Sequence, residues 1–377
     1  MGIEQLDVTG FRSLRDIQWR PGRLNILIGP NGSGKSNLLQ ALELIRSSAV
    51  EGLRAWIVRS GGMSALLWDE RAGSLIFRVA ERIPFSGDRL TYEIGLEQVV
   101  GTGSYRVGRE TLSRDGVLEF VRMPSGEVVY RDQPTGFGLA EDARFLPGIH
   151  HYTQAGPAER TLQVLLANWA IYQDLRVDRE APLRQAAVAR YEKLIDADGQ
   201  NLIPVLHTLY TGNRDFETTV DDAMRAAFGA DYEKLVFPPA ADQRVQLRVR
   251  WRSLKTEQSA ANLSDGILRF LLLLAILANP EPGDLIAIDE PETGLHPGVF
   301  PILAELAVQA AEKTQVIFTT HSPQFLDAFS EPPTTTVCEW VDGATKLSVL
   351  DGEELARWLE HYSLGAIFRS GELEALA

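Results

Sequence analysis

The sequence predicts an α/β fold: a mixed sheet with a glycine-rich loop, an antiparallel β meander, and a helical lobe inserted between the two halves of the sheet. Three observations predict it. The continuous apolar run RLNILIG enters the glycine-rich stretch Gly29–Ser36, and the helical pattern SNLLQALELIRSS leaves it. Residues 73–132 alternate apolar and polar side chains between the turn sequences SGD, GTG, RDG and PSG. The last third alternates helix and strand, which is the order that builds parallel pairing.

In chain order, residues 1–28 predict two or three strands, because IEQLDVTGF alternates and RLNILIG is of the fully buried kind. The segments SLIFRVAERI, LTYEIGLEQVV, GVLEFVRM and EVVYRDQ predict half-buried strands of the meander. Residues 134–158 predict a loop. Helix is expected through 159–234, in ERTLQVLLANWAIYQDL, LRQAAVARYEKLI, NLIPVLHTLYT and DAMRAAFG. VQLRVRWRSL (245–254) returns to strand alternation, followed by a helix over 267–278, the strand DLIAID, the helix VFPILAELAVQAAEK and the strand QVIFTT. The expected division is 1–158, 159–244 and 245–377. The sequence has no internal repeat, no low-complexity tract and no heptad run long enough for a coiled coil.

The bulk composition narrows the partners. With 377 residues and 45% hydrophobic content the chain can bury a sizeable core, and 23% charged residues is ordinary for a globular protein. Thirty-seven basic against 51 acidic residues give a net charge of −14, which repels nucleic acid and anionic lipid as a whole. Any DNA contact must then come from a local basic patch. The single cysteine, Cys338, excludes an internal disulfide framework and any CxxC zinc site, and points to the reducing cytoplasm. The start MGIEQLDVTGFRSLRD has no signal-peptide apolar block. The most apolar run, ILRFLLLLAILA, is short and contains Arg269, so it predicts a buried helix with no membrane span.

Four motifs carry chemistry. GPNGSGKS (Gly29, Pro30, Asn31, Gly32, Ser33, Gly34, Lys35, Ser36) fits the pattern G-x-x-x-x-G-K-[ST] between a strand and a helix. Such a loop turns backbone N–H groups toward phosphates at a helix N-terminus, with Lys35 as a point charge for the β- and γ-phosphates and the Ser36 hydroxyl as an Mg²⁺ ligand. DLIAIDEPE ends an apolar strand in Asp289 and Glu290. An acidic pair at a strand end is usually just solvated, but after a phosphate loop the first holds the Mg²⁺ shell and the second polarises water. NLSDGILRF places Ser264, Asp265 and Gly266 at the start of an apolar helix, where either side chain could be an ordinary cap or part of an anion site. TTHSP puts His321 at the end of the next strand, within reach of a γ-phosphate.

At these residues the chain resembles the soluble ABC-type ATPases of the OLD, RecF and SMC group. LSDG resembles the ABC signature, usually LSGG, followed by a Walker B strand, a D-loop and a switch histidine. VTGFRSL with GPNGSGKSNLLQAL is similar to that group's N-terminal start, and DEPETGLHP, TTHSP, DGQNLIPVLHTL and RWLEHYSLGAIFRSGEL extend the similarity end to end. The resemblance implies an ABC-ATPase head that binds ATP with Mg²⁺ and closes as an ATP-dependent homodimer. It implies Glu290 and His321 as catalytic residues and Ser36 and Asp289 as metal ligands. The nucleotide would meet Gly29 through Asn37, Arg12 of the FRS hairpin, and the partner copy's signature.

Some positions depart from the pattern. His296 stands in ETGLHP where transporter ATPases carry Asp, and about 228 residues separate Ser36 from Ser264. The sequence does not identify the Q-loop glutamine, for which Gln154 and Gln163 are both plausibly placed. Only 54 residues follow Pro323, too few for the Toprim domain of the OLD nucleases, so an ATPase without that nuclease domain is expected. Arg248, Arg250 and Arg252 share one face of a strand, and Arg176, Arg179, Arg184 and Arg190 punctuate the helical region. Solvated faces explain both clusters, and both are where DNA or a separate effector protein would bind. The expected role is a sensor or regulator in DNA maintenance or phage defence. The competing reading is a nucleotide-dependent clamp or scaffold with weak hydrolysis.

Overall fold

The computed structural model describes residues 2–50, 52–70, 72–83, 86–99, 104–125, 127–130, 133–137, 157–350 and 363–371. The described residues pack as two compact units, one of those up to 169 with 334–350, the other of 170–333 with 363–371.

The first unit is built on the meander. Eight strands lie side by side in the order Leu14–Trp19, Ile3–Phe11, Ser74–Arg82, Arg89–Val99, Ser104–Arg114, Val117–Arg122, Glu127–Tyr130 and Gln133–Phe137. Neighbours in this order pair antiparallel, with Val8 opposite Phe77 and Phe77 opposite Ile94. Leu6, Val8, Phe77, Val79, Tyr92, Ile94, Leu112 and Phe120 are all buried, so the period-2 alternation of the sequence becomes one apolar face. A slip of one residue would turn that set to solvent, which fixes the register. The strand Leu24–Ile28 runs parallel to Thr334–Val341, which pairs antiparallel with Ala344–Leu350. The helix Lys35–Ala49 follows and buries Leu38, Leu39, Leu42 and Ile45 at helical spacing.

The second unit holds the strand–helix alternation. Leu285–Asp289 and Gln315–Thr320 pair in parallel, Asp289 opposite Thr319, and every residue of the second strand is buried. The helix Phe300–Ala311 connects them. The helix Asp265–Leu277 buries Leu268 and all eight residues from Phe270 to Leu277, as its unbroken apolar run requires. The helices Leu202–Gly212 and Arg214–Phe228 and a three-stranded sheet of Tyr232–Val236, Arg248–Trp251 and Gln258–Ser259 complete the unit's larger elements.

Two stretches expected to be helical are not. The helix Pro157–Ala167 stops short of NWAIYQDL, where Trp169–Tyr172 is a strand. LRQAAVARYEKLI holds only a 3₁₀ turn at Pro182–Arg184 and the strand Ala187–Val188, paired with Arg244–Val245. The helix Leu202–Gly212 and its cap explain the second correction. The Glu192 N–H donates to Thr208 Oγ1, the Asp196 N–H to Asn201 Oδ1, and Asn201 Nδ2 to the Leu194 carbonyl. Side chains of the neighbouring element take the backbone groups a helix would have used, and tertiary context overrides propensity. Of the tail segment 357–373, the helix Leu364–Ser370 is described. Residues 357–362 and 372–373, Gln154 and most of the expected loop 134–158 lie outside the described residues.

Candidate functional site

In the first unit the loop Gly29–Ser36 joins a buried strand to a helix that begins at Lys35. Glycine is required at both ends. Gly29 has φ +148° and an added Cβ would sit 2.2 Å from the Cys338 carbonyl oxygen; Gly34 has φ +101° and its Cβ would sit 1.9 Å from Thr345 Oγ1. Lys35 is 5% exposed, and its Nζ donates to the Gly29 carbonyl at 2.8 Å and the Pro30 carbonyl at 3.1 Å. The ammonium is thus folded across the mouth of its own loop. Ser33 is buried and its Oγ has no hydrogen-bond partner among the described residues. A tight loop with a central ammonium and a spare buried hydroxyl fits a phosphate chain.

A small hydroxyl network supports the loop from below. Asn37 Nδ2 donates to Ser13 Oγ at 2.7 Å, and Thr345 Oγ1 contacts both Ser13 Oγ at 2.7 Å and the Ser33 carbonyl at 2.8 Å. Arg12, beside Ser13, sits at φ +48°, and burial holds its guanidinium below its ordinary pKa. Arg12, Ser13 and Asn37 line an open cavity of about 1160 Å³ together with Trp68, Asp69 and Trp340. Trp68 is fixed by its indole N–H on the Gly343 carbonyl and by the Arg15 guanidinium 5.3 Å above its ring, whereas Trp340 is 55% exposed. The Cys338 thiol, behind the loop, is pushed up to about 12 by burial, against the opposing charge of Lys35.

In the second unit Asp289, Glu290 and His321 come together at the ends of the parallel strands. Thr319 Oγ1 donates to Asp289 Oδ1, and the Glu290 N–H reaches Thr319 Oγ1 at 3.0 Å and the Thr319 carbonyl at 3.2 Å. Glu290 sits at φ +46°, a left-handed conformation that a non-glycine residue adopts at a cost of about 1–2 kcal/mol. Its Oε1 lies 2.8 Å from His321 Nδ1, and its Oε2 accepts from Thr293 Oγ1 at 3.2 Å. Glu292 lies buried behind the pair, accepts from Thr320 Oγ1, and is raised above the usual carboxylate range by burial. Arg269, from the apolar helix, donates to the Glu290 carbonyl at 3.1 Å and the Leu175 carbonyl at 3.3 Å. The first of these bonds ties that helix to the strained turn.

Ser264 caps the same helix, with its Oγ accepting from the Ile267 N–H at 3.3 Å. An added Cβ on Gly266 would sit 3.4 Å from the Gly294 carbonyl, so the start of this helix lies close to the loop after Glu290. His296, in that loop, accepts the Gly298 N–H at 3.0 Å and caps a 3₁₀ turn. Gln163 is buried in the helix Pro157–Ala167.

Arg184 departs from the solvated face expected of its cluster. It is 7% exposed and bonded to backbone carbonyls and to Asp265. Arg176 instead pairs with Asp178, and Arg190 with Glu192. Arg248 and Arg250 do share a half-buried face, where Arg250 pairs with Glu257 and lies in register with Lys234. Thr319, Thr320, Glu292 and Arg269 join the site without having been singled out by sequence, although the two threonines lie in TTHSP and Glu292 in DLIAIDEPE.

Comparison with known proteins follows the same residues. The family described as "AAA domain, putative AbiEii toxin, Type IV TA system" matches residues 24–99 and 162–327. The chain belongs to this AAA-domain family. Its match includes the glycine-rich loop, Ser264, Asp289, Glu290 and His321. The AAA-domain chain is 24% identical over 347 residues to an OLD nuclease of Thermus scotoductus; the match covers 86% of this chain but spans only 60% of the nuclease's length. It is 28% identical over 297 residues to the DNA replication and repair protein RecF of Azotobacter vinelandii, covering 71% and 75%. In fold it matches an SMC head solved with the C-terminal winged-helix domain of ScpA, with TM-score 0.60, 16% identity, and coverage of 95% of this chain and 100% of that one. A second SMC head, solved with the C-terminal domain of ScpA derived from Pyrococcus furiosus, gives TM-score 0.58 at 13% identity, covering 95% and 98%. The architecture is therefore an ABC-type ATPase head of the OLD, RecF and SMC group.

Proposed function

We propose that this AAA-domain protein binds Mg·ATP and hydrolyses it to ADP and phosphate, and that ATP closes two copies into a dimer. The observation that carries the reading is the Glu290–His321 contact of 2.8 Å, set directly after a carboxylate that Thr319 holds in place. Lys35 exchanges its loop carbonyls for phosphate oxygens, and the N–H groups of residues 32–36 take the remaining phosphate charge. Asp289 and the Ser36 hydroxyl each offer a hard oxygen donor of the kind that Mg²⁺ would take. When bound, Mg²⁺ neutralises charge on the β- and γ-phosphates.

Glu290 accepts a proton from the attacking water as the water's oxygen bonds to the γ-phosphorus and the bond to the β-phosphate oxygen breaks. His321 orients that carboxylate through Nδ1, and the backbone strain at Glu290 aims it. The helix start formed by Ser264, Asp265 and Gly266 serves the nucleotide held by the partner copy through its hydroxyl and backbone N–H groups, which makes hydrolysis depend on pairing. The output is a sensor or regulator in the cytoplasm, acting in DNA maintenance or phage defence on DNA or on a separate effector protein. Support for DNA comes from the replication and repair relative. Among the described residues no helix is long and apolar enough to cross a membrane.

Phosphate release by the purified full chain, with Mg·ATP and with Lys35→Ala as control, tests the reading. Turnover that needs Lys35 and rises more than linearly with protein concentration supports it. ATP affinity unchanged in Lys35→Ala overturns the phosphate-loop assignment.

A further inference from the structure

Arg184 lies in the 3₁₀ turn Pro182–Arg184, some eighty residues before the helix that Ser264 caps, yet it is buried against that helix start. Nε donates to the Val177 carbonyl at 3.0 Å and the Asp178 carbonyl at 2.8 Å, and Nη2 to the Val177 carbonyl at 2.7 Å. The other edge of the guanidinium turns toward the helix. Nη1 donates to the Leu263 carbonyl at 2.7 Å and the Ala260 carbonyl at 3.4 Å, and Nη2 is paired with the Asp265 carboxylate. A rigid planar fork that spans two segments in this way sets the position of both.

The partner it holds is electrostatically out of place. Asp265 is the first residue of the helix, and its side chain is 67% exposed. A negative side chain is normal at a helix N-terminus that faces water. At one that must receive a phosphate it repels the ligand, and the ABC signature, which this segment resembles, usually has glycine here. The cation paired with it is Arg184.

We propose that Arg184 is a positioning residue of the signature segment: it fixes the Leu263–Ser264 turn and neutralises Asp265, so that the helix start accepts an anionic phosphate in spite of its acid. This rests on the reading that Ser264 serves the nucleotide of a second copy. A purely structural arginine would hold the turn equally well but would be indifferent to the charge of residue 265.

The test uses the full chain carrying Glu290→Gln, in which ATP-closed pairs accumulate, and reads by light scattering the ATP concentration that gives half-maximal pairing. Arg184→Met should raise that concentration by about tenfold, because an exposed carboxylate without its cation then faces the incoming phosphate. Asp265→Asn alone should lower it, because the guanidinium is then uncompensated. The double variant should regain part of the loss, since the acid is gone while the carbonyl bonds to the turn stay missing, as expected of coupled neighbours in one charge network. Absence of rescue in the double variant overturns the proposal. If Arg184→Met does not fold, Asp265→Asn decides alone, since its side chain is exposed: pairing that is unchanged or weaker overturns the proposal. A Glu290→Gln parent that never pairs with ATP overturns the head-pairing reading itself, and this inference with it.

Discussion

His321 Nδ1 lies 2.8 Å from Glu290 Oε1, across the ends of two parallel strands and 31 residues away in sequence. The carboxylate is therefore held on one side by an imidazole, on the other by Thr293, and at its backbone by Thr319 and Arg269. Glu290→Gln keeps the size of the side chain and most of its hydrogen bonds but loses the base. Hydrolysis should fall by at least about a hundredfold, the lower end of what a general base contributes. ATP binding, followed by equilibrium dialysis, should stay within a factor of a few. Near-parental turnover would remove Glu290 from the role of base.

Thr319 touches both carboxylate residues of the pair, through Asp289 Oδ1 and the Glu290 N–H. Thr319→Val keeps the shape of the buried strand and deletes only the hydroxyl. It should lower kcat and raise the Mg²⁺ midpoint together, because Asp289 loses its anchor and the Glu290 N–H one of its acceptors. A titration of Mg²⁺ at fixed ATP separates the two effects. If both kcat and the Mg²⁺ midpoint match the parent, the hydroxyl has no part in the site.

The contrast between these two residues shows what a single sequence can and cannot display. Glu290 is legible because it follows an apolar strand in a chain that has already shown a phosphate loop. Thr319 is not, because its role comes from the parallel register that sets it opposite Asp289, and register is not written in either strand. The meander strands can be read by period, since they bury alternate residues, and Asp265–Leu277, Leu285–Asp289 and Gln315–Thr320 by the apolar runs they contain. LRQAAVARYEKLI cannot, because Thr208 and Asn201 of the next element claim its backbone. Spacing alone assigns Arg184 to a surface cluster, whereas its carbonyl partners lie up to about eighty residues away.

Trp68 and Trp340 line the cavity that also contains Arg12 and Asn37. Asn37, two residues after Lys35, lines this cavity, and the exposed Trp340 indole there offers a nucleotide base a stacking face. Tryptophan fluorescence should change on adding Mg·ATP, and Trp340→Ala should remove most of the change while hydrolysis persists with a raised KM. A signal that survives in Trp340→Ala assigns the change to another tryptophan.

Glu110 is fully buried, with the Tyr92 hydroxyl at 2.8 Å and Arg122 at 3.1 Å. Burial outweighs the arginine and raises its pKa to about 8. The folded state then holds a proton that the unfolded chain releases near 4.3, so stability should fall as pH rises between those two values. The midpoint of thermal unfolding, measured from pH 5.5 to 8.5, should decline more steeply in the parent than in Glu110→Gln. Equal slopes would show that the proton is not held at Glu110.

Arg248, Arg250, Arg252 and Lys255 line a cavity of about 400 Å³ with Glu233 and Glu257, so four cations face two carboxylates on a chain of net charge −14. Arg250 already pairs with Glu257, and Arg248 bonds to the Gln246 amide oxygen at 2.9 Å, which leaves Arg252 and Lys255 as the charges most available to an incoming phosphate backbone. If nucleic acid binds here, its affinity should fall with salt in proportion to the phosphates neutralised. Arg252→Glu with Lys255→Glu should then weaken binding across unrelated sequences and flatten the log–log salt slope by about 0.9 for each duplex phosphate that is no longer neutralised. Basal hydrolysis should persist, because neither residue belongs to the loop, the Asp289–Glu290 strand end or the Ser264 helix. Fluorescence anisotropy of a labelled duplex and a labelled single strand, each across a salt series, reads both quantities. An unchanged slope would return this face to solvent, and the DNA contact would have to be sought elsewhere on the head.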